Sequence, residues 1–178
     1  MVYTFLADGF EEIEALSVVD ILRRAEIEVK MISVYDKKEV TGAHGIKVVA
    51  DDIISNISDA DLIFLPGGLP GVTNLEASHK VMEILKKHLS VGKYIAAICA
   101  APSILGKLGV LKGKKAVCYP SFEKYLDGAE VLKDKVVIDD VFITSRGAGT
   151  ASELGFAIVE LLKDRETAVK LKTGMIYD

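Results

Sequence analysis

Cysteine is scarce in this chain of 178 residues, which contains only Cys99 and Cys118. In a chain without export signals, two cysteines predict free thiols rather than a disulfide framework. The three histidines have no metal-ligand spacing, and two cysteines nineteen residues apart do not form a zinc motif. We therefore expect no metal and no cofactor, and a reducing environment.

An excess of positive charge is also lacking, since the formal net charge is -4. Without a broad basic surface, neither nucleic acid nor an anionic membrane is an expected partner. The longest apolar run, residues 94–106, is too short to span a bilayer and contains Pro102. Residues 1–12 have no positively charged region and soon turn acidic, unlike a secretory signal. We expect a soluble, cytoplasmic protein.

Apolar residues make up 50% of the sequence and charged residues 27%, the composition of an ordinary globular protein. The length suits one domain with a substantial core, so we expect a single domain over residues 1–178.

Short β-rich apolar runs alternate with longer helical patterns along the chain. This alternation predicts βαβ units around a mostly parallel sheet. The predicted strands of that sheet are Val2–Leu6, Val29–Val34, Leu62–Leu65, Tyr94–Ile98, Lys115–Val117 and Val141–Thr144. The predicted helices are Glu11–Ala25, His79–Leu89, Pro102–Leu108, Ala151–Lys163 and a shorter one in the last dozen residues.

Two further segments have the pattern of β-hairpins. Residues 40–49 are divided by Gly42, Ala43, His44 and Gly45, which predicts a hairpin added at a sheet edge. Residues 130–140 have apolar runs on either side of Asp134 and Lys135, and this predicts a second hairpin with its turn there.

The loops after the carboxyl ends of parallel strands form the usual ligand crevice of such a sheet. Three unusual features fall on this edge. They are residues 8–14 after the first strand, Pro66-Gly67-Gly68 after the third and Cys99 after the fourth. We expect a functional site here.

Cys99 stands where a predicted strand meets a predicted helix, the position of a nucleophile elbow. Such a turn requires small residues two before and two after the nucleophile, and Ala97 and Ala101 meet this requirement. A thiol at a helix amino terminus is expected to have a lowered pKa and to be reactive. The alternative is that Cys99 is a small buried hydrophobic residue, the commonest state of a free cysteine. Spacing alone leaves both interpretations open.

Glu14 begins an apolar stripe on the first predicted helix that continues through Val18, Ile21, Leu22 and Ala25. A carboxyl group facing the core is disfavoured in its charged form, so Glu14 could stay protonated, donate a hydrogen bond or move a proton. The alternative is that Glu14, like Glu11 and Glu12, only complements the helix dipole.

Gly67 and Gly68 can expose backbone amides to an oxyanion, because glycine adopts the required dihedral angles and permits close approach. Two glycines after a strand are also common in plain turns. Residues 145–150 form another glycine-rich loop, but it lacks the lysine of a phosphate-binding loop, so we do not expect nucleotide binding.

Four motifs occur in order along nearly the whole chain. They are DGFEEIE (8–14), FLPGG (64–68), AAICAAP (96–102) and TSRGAGT (144–150). With these motifs the sequence resembles the ThiJ/PfpI superfamily. Among its branches it is most similar to that of the Parkinson's-disease-linked deglycase and the bacterial YajL chaperone.

The resemblance implies a flavodoxin-like three-layer sandwich, with helices on both faces of a mostly parallel sheet, that forms homodimers. It assigns the family's reactive cysteine to Cys99 and its protonated glutamate to Glu14. It assigns the oxyanion site to Gly67, Gly68 and the amide of Ala100.

Family members are described as glutathione-independent glyoxalases, protein deglycases or redox-responsive chaperones. The first two activities imply as substrate a small aldehyde, such as methylglyoxal or glyoxal, or a glycated amino group or thiol. The chaperone or sensor alternative implies that Cys99 is oxidised to a sulfinate with little turnover. A third possibility is that Cys99 is inert.

The sequence departs from the family pattern at several positions. Ala100 replaces the histidine that follows the cysteine in the protease-like branch, so we do not expect peptidase activity. Tyr119 stands where a histidine lies near the cysteine in the Parkinson's-linked protein, and tyrosine is a poor base near neutral pH. His44 and Arg24 are candidate pocket residues. Cys118 is a candidate for thiol exchange with Cys99, although strand alternation points it away from the side that Tyr119 faces.

Overall fold

The computed structural model describes residues 1–177. Its strands, in chain order, are β1 (Val2–Leu6), β2 (Val29–Ser33), β3 (Glu39–Thr41), β4 (Lys47–Val49), β5 (Asp52–Ile53), β6 (Leu62–Leu65), β7 (Tyr94–Ile98), β8 (Lys115–Ala116), β9 (Glu130–Val131), β10 (Val136–Asp139) and β11 (Phe142–Ser145). The α-helices are α1 (Glu12–Arg24), α2 (Gly71–Ala77), α3 (His79–Ser90), α4 (Pro102–Lys107), α5 (Ala151–Leu162) and α6 (Arg165–Gly174). The last predicted helix reached Asp178, which lies outside the described residues.

Seven strands form the central sheet, in the order β10-β11-β7-β6-β1-β2-β5. All neighbouring strands are parallel except the antiparallel pair β10 and β11. β1 is buried along its whole length, as expected for a central strand covered on both faces.

Alternate residues of the strands supply two separate cores, because successive side chains point to opposite faces of a sheet. Val2, Leu6 and Ile98 join the core that contains α1, α5 and α6 residues. Tyr3 and Ile95 join the core that contains residues of α2, α3 and α4. The fold is therefore a three-layer α/β sandwich, which confirms the flavodoxin-like fold that the resemblance implied.

Helix α1 carries Glu14 and is held to the sandwich mainly by α5. The two helices are in close contact at Gly155, where an added Cβ would lie 2.9 Å from Cδ1 of Ile21. Ile21 and Leu22 on the inner face of α1 are fully buried. This packing fixes the position of the first turn of α1 at the carboxyl edge of the sheet.

The predicted hairpin over residues 130–140 is wrong. Residues Glu130–Val131 pair in parallel with Lys115–Ala116, and the hairpin is formed instead by β10 and β11. Its turn lies at Asp140, which has φ 56. Aspartate tolerates this left-handed conformation better than most residues. The turn therefore forms at Asp140, after the second apolar run, rather than at Asp134 and Lys135 between the two runs.

The prediction that Lys115–Val117 joins the central sheet is also wrong. Only two residues are in strand geometry, and they belong to a separate two-stranded sheet with β9. The amide of Val117 donates to the side-chain Oγ1 of Thr144 in β11 over 3.0 Å instead of to a backbone carbonyl. Because a side chain accepts from this amide, the strand β8 ends at Ala116.

The hairpin expected over residues 40–49 is confirmed as β3 and β4, which pair antiparallel. It forms its own two-stranded sheet rather than extending an edge of the central one. The short elements β5 and α2 were not predicted. Within residues 1–177, no helix has the length and apolar character needed to cross a bilayer.

Candidate active site

Three loops meet at the carboxyl edge of the sheet, as the sequence predicts. β1, β6 and β7 are adjacent, and the loops that follow them carry residues 7–11, residues 66–70 and Cys99. The amide of Glu11 donates to the carbonyl of Gly67 over 2.9 Å, which joins the first loop to the second. The edge is therefore a connected surface rather than three separate turns.

Cys99 has φ 62, in the left-handed region that non-glycine residues seldom adopt. Two backbone hydrogen bonds hold it there. Its amide donates to the carbonyl of Ser145 over 3.0 Å, and its carbonyl accepts from the amide of Tyr119 over 2.8 Å. Ala97 and Ala101 are both fully buried, which shows why small residues are needed on either side. The geometry is that of a nucleophile elbow, and the thiol is half-buried.

The side chain of Glu14 reaches this thiol from the first turn of α1. Glu14 is only 1% exposed, and its carboxyl group lies beside the side chain of Cys99, close enough for each to act on the pKa of the other. Oε2 of Glu14 also accepts a hydrogen bond from the amide of Gly67 over 2.8 Å. The acid therefore points into the site rather than toward solvent.

Gly67 permits this close contact. A Cβ at this position would lie 2.5 Å from Oε2 of Glu14 and 2.6 Å from Cβ of Cys99. Neither side chain can move freely, because Glu14 is buried in the core and the backbone of Cys99 is held in the elbow. Glycine is therefore required where the side chains of Glu14 and Cys99 meet.

The amides of Gly68 and Ala100 lie close enough to the sulfur of Cys99 to act on its pKa, which they lower. Gly68 has φ 90, and a Cβ there would lie 2.5 Å from the carbonyl oxygen of Gly9 and the amide nitrogen of Glu11. The fold already holds these two donors in position, so no rearrangement is needed to present them. They can stabilise negative charge on the sulfur or on an oxygen formed beside it.

Burial raises the pKa of Glu14 to about 7, against the opposing hydrogen bonds from Gly67 and Cys99. Burial, and then the charge of Glu14, raise the pKa of the Cys99 thiol to about 12. The expected lowering of this pKa is therefore wrong for the state in which Glu14 is ionised. Helix α4 has six residues and begins three residues after Cys99, so its dipole does not outweigh burial and a neighbouring carboxylate.

The consequence is that the pair carries two protons below about pH 7 and, once Glu14 has ionised, a single proton on the sulfur. When Glu14 is ionised, the proton resides on the sulfur, and removing it requires a base within reach. Glu14 is the carboxylate beside this sulfur, and a pKa of about 7 is in the range of a general base at neutral pH.

His44 does not contact Cys99 or Glu14. Its Nδ1 lies 2.8 Å from Oε2 of Glu12, and its amide donates to Oε1 of Glu12 over 2.8 Å. Glu12 is 5% exposed, and a Cβ on Gly42 would lie 2.2 Å from its Oε1. The Glu12 carboxylate thus fastens the tip of the β3–β4 hairpin against the start of α1.

In the contact between His44 and Glu12, each residue stabilises the charged form of the other. The hydrogen bond with Glu12, and then the charge of Glu11, raise the pKa of His44. Burial acts to raise the pKa of Glu12, but the hydrogen bonds from His44 and Ile46 lower it overall. Potential ligand atoms of Glu11, Glu12 and His44 lie within 4.8 Å of one another, so these are the residues that could hold a cation. Both oxygens of Glu12 already accept hydrogen bonds, and the absence of a metal stays a prediction.

Tyr119 lies at the rim of the site and is 49% exposed. Its backbone holds Cys99, and its ring lies beside Gly147, where an added Cβ would be 3.4 Å from Cδ2 of Tyr119. Arg24 is not brought to the site within this chain. It lies ten residues after Glu14, near the other end of α1, and its Nε bonds to Oδ2 of Asp20 over 2.7 Å.

Cys118 is buried at 3% exposure, and burial followed by the charge of Glu123 raises its pKa to about 11. Both cysteines are free thiols. Cys118 is buried whereas Cys99 is half-buried, so the structure gives no support to thiol exchange between them.

Sequence reasoning missed two groups that build the site. The carbonyl of Ser145 positions the amide of Cys99, and the carboxylate of Glu12 fastens the hairpin. The parallel pairing of β7 and β11 could have indicated Ser145, because their carboxyl ends meet at one edge. Nothing local marks Glu12, whose partner His44 is 32 residues away in sequence.

A three-layer sandwich with an elbow cysteine and a buried glutamate beside it defines a class of cysteine-based α/β proteins. Residues 1–161 match the DJ-1/PfpI family. The chain belongs to this family.

The chain is 42% identical over 175 residues to Protein DJ-1 homolog B of Arabidopsis thaliana, a match that covers 96% of this chain and 40% of the relative. It therefore spans less than half the length of that protein. It is 35% identical over 159 residues to Glutathione-independent glyoxalase DJR-1.2 of Caenorhabditis elegans, covering 88% of this chain and 84% of the relative.

Among solved structures, oxidized DJ-1 of Toxoplasma gondii superposes with a TM-score of 0.95 at 37% identity. The superposition covers 99% of this chain and 97% of that one. Its extent shows that the elbow and the loops around it belong to a shared fold and not to a local resemblance.

Proposed function

We propose that this protein is a cysteine-dependent glyoxalase and protein deglycase. Its substrates are methylglyoxal, glyoxal or the adducts of these aldehydes with amino groups and thiols. The observation that carries the proposal is the contact between the Cys99 thiol and the buried Glu14 carboxyl, with the amides of Gly68 and Ala100 at the sulfur. The similarity to a relative described as a glutathione-independent glyoxalase supports the same reaction class.

In the first step Glu14, as the carboxylate, takes the thiol proton while the sulfur of Cys99 attacks the aldehyde carbon. A carbon–sulfur bond forms and the carbonyl π electrons move to oxygen. The amides of Gly68 and Ala100 lie beside the sulfur, where this oxyanion develops, and stabilise it. Glu14 then returns its proton to the oxygen, which gives a neutral hemithioacetal.

In the second step the Glu14 carboxylate removes the proton from the carbon that carries the sulfur. The resulting enediolate is reprotonated at the neighbouring carbon, and the product is a 2-hydroxy thioester on Cys99. Water hydrolyses this thioester to the 2-hydroxy acid and restores the thiol. One carbon is oxidised and its neighbour is reduced, so the reaction balances without an external oxidant.

An aldehyde adduct of an amine or thiol enters by the same attack. The carbon–nitrogen or carbon–sulfur bond of the adduct breaks as the bond to Cys99 forms, and the amine or thiol leaves with a proton from Glu14. Free aldehyde and adduct thus converge on one hemithioacetal. A single site can therefore perform both activities.

The test is lactate formation from methylglyoxal in the absence of glutathione. We expect Cys99→Ser and Glu14→Gln each to lose roughly 10²-fold or more of the rate, because each removes a group that acts on the reacting atoms. The matched control is Cys118→Ser, which removes the other thiol and should leave the rate unchanged. An undiminished rate in Cys99→Ser would overturn the proposal.

A second candidate is an oxidative-stress sensor or redox-regulated chaperone in which Cys99 is oxidised to a sulfinate. The same two amides and a protonated Glu14 provide three donors for sulfinate oxygens. The solved structure of the Toxoplasma gondii relative is described as oxidized, which supports this second candidate. Peroxide treatment followed by peptide mass mapping tests it, and equal addition of two oxygens to Cys99 and Cys118 would exclude it.

We also propose that the protein works as a homodimer in the cytoplasm. Exposed apolar side chains on α1 and the fastened hairpin support self-association, namely Ile13 (57%), Ile46 (54%) and Val49 (69%). Sedimentation of the wild type and of Ile13→Glu/Val49→Glu tests this. A dimeric wild type and a monomeric variant are expected, and a monomeric wild type would contradict the proposal.

A further inference from the structure

A cavity of about 390 Å³ opens at the amino ends of β1, β6 and β7. It lies between residues 54–60 and the carboxyl end of α3, at the opposite edge of the sheet from Cys99. The length of β7 separates the two places by roughly 15 Å. The volume is that of a small-molecule pocket, and we call it the amino-edge cavity.

The floor of the amino-edge cavity is apolar. It is formed mainly by isoleucines of three different segments, namely Ile54, Ile57, Ile63 and Ile84. Ile54 and Ile63 are buried, whereas Ile57 and Ile84 are half-buried. An apolar floor of this kind favours the hydrocarbon part of a ligand.

The rim of the cavity is positively charged. Lys80, Lys87 and Lys93 line it together with one acid, Asp59. Nζ of Lys87 lies 3.5 Å from Oδ1 of Asp59, so that pair is compensated. Within residues 1–177 neither Lys80 nor Lys93 forms an ion pair, and Lys93 is half-buried. The charge of Lys93 acts on the carboxylate of Asp61, whose Oδ2 is already bonded to the amino terminus, and Lys80 and Lys93 are the lining cations without a direct ion pair.

The imidazole of His88 also lines the cavity. It is 7% exposed, and its Nε2 bonds to the carbonyl of Tyr94 over 2.9 Å. Because the carbonyl only accepts, Nε2 carries the proton, and no described residue bonds to Nδ1. Burial lowers the pKa of His88 and the nearby charge of Lys93 acts in the same direction, whereas the bond to Tyr94 and the charges of Asp59 and Asp61 act to raise it. A bound carboxylate would also act to raise it, so His88 reports on occupancy.

We propose that the amino-edge cavity binds an amphipathic monocarboxylate, with its hydrocarbon chain on the isoleucine floor and its carboxylate at Lys80 and Lys93. A fully polar anion would leave the floor in contact with water. A neutral hydrocarbon would leave both ammonium groups without a partner. This site is independent of the cysteine chemistry proposed above.

The test is titration of the full-length protein with octanoate, followed by calorimetry and by amide and imidazole NMR signals. We expect saturable binding at one site, with shifts confined to residues 54–60 and 80–93 and a raised pKa of His88. Octan-1-ol and octyltrimethylammonium, which carry the same chain without the negative charge, should bind more weakly than octanoate.

Charge-reversal variants distinguish binding in this cavity from nonspecific attraction of anions to the protein surface. Lys80→Glu/Lys93→Glu should weaken octanoate binding roughly tenfold, because two attractions become repulsions. The control is Lys86→Glu, on the same helix as Lys80 but outside the cavity lining, and it should bind as the wild type does. A second variant, Ile84→Trp, fills the opening and should also reduce binding.

Equal affinity for octanoate and octan-1-ol, or equal effects of the Lys86 and Lys80/Lys93 variants, would overturn the proposal. Signal shifts centred on Cys99 would overturn it as well. Cys99→Ser should bind octanoate unchanged, so failure of this proposal and failure of the proposed enzymatic function give different results.

Discussion

The amide of Gly67 donates a hydrogen bond to Oε2 of Glu14 over 2.8 Å. Because this oxygen is already an acceptor, Oε1 is the better position for the carboxyl proton. The bond also holds the acid in place beside Cys99. The position of the proton in the site is therefore set by a backbone group of a different loop.

The rate of lactate formation should depend on the ionisation of Glu14. Since burial raises its pKa to about 7, the base form increases as the pH rises through that value. We expect the rate to climb roughly tenfold per pH unit below about 7 and then to level off. Initial rates from about pH 5.5 to about 8.5 measure this. Glu14→Gln should show no such inflection, whereas Glu14→Asp should keep one at a lower rate; an inflection retained in the Gln variant would contradict the assignment.

The same carboxyl should make the fold less stable as the pH rises. Its pKa is raised from 4.5 in the unfolded chain to about 7 in the folded protein, so the folded state binds more protons between these values. Stability from this group is complete below about pH 4.5 and is lost as the pH rises to about 7, by about 3 kcal/mol. Urea unfolding at several pH values measures the free energy of unfolding. Glu14→Gln removes this loss, and an identical pH dependence in both proteins would refute the prediction.

Gly67→Ala should damage both the fold and the activity. The added Cβ falls within 2.6 Å of Glu14 and Cys99, neither of which has room to move. We expect about 2 kcal/mol lower stability and roughly 10²-fold lower lactate formation. Gly174→Ala is the control, since an added Cβ there meets nothing within 4 Å. Equal thermal midpoints and rates for the two variants would show that the contact is not restrictive.

Glu12→Ala should loosen the β3–β4 hairpin. It leaves the amide of His44, the imidazole of His44 and the amide of Ile46 without their acceptor, at a cost of about 1–3 kcal/mol. Hydrogen exchange at the two amides and urea unfolding measure the effect. Glu39→Ala on the same hairpin breaks only an exposed pair with Lys47 and should change stability by less than about 0.5 kcal/mol. Unchanged exchange at His44 in the Glu12 variant would contradict this role.

The sign of the pH effect at this contact is opposite to that at Glu14. The pKa of Glu12 is lowered in the fold, so its contribution is present above pH 4.5 and is lost as the pH falls through the lowered value. The pKa of His44 is raised, so the contribution of its charge is lost as the pH rises through that value. The hairpin is therefore fastened most strongly between the two.

Local sequence determined much of the architecture. Alternation of β-rich and helical segments predicted the parallel sheet, because each element must bury one face and the period of its apolar residues shows which face that is. The position of Cys99 between a strand and a helix, with Ala97 and Ala101 around it, predicted the elbow for the same local reason. The turn at Asp140 was misplaced because two candidate turns flank one short apolar run, and the choice depends on which strand it pairs with.

Only the tertiary structure decided the chemistry of the site. The raised pKa of Cys99 depends on burial and on the charge of Glu14, which α1 brings from 85 residues away in sequence. The contact of His44 with Glu12, and the separation of Arg24 from Cys99, likewise follow from how the hairpin and α1 pack. A sequence pattern reports the environment of neighbours a few residues apart, whereas desolvation and charge act between groups that meet only when the chain has folded.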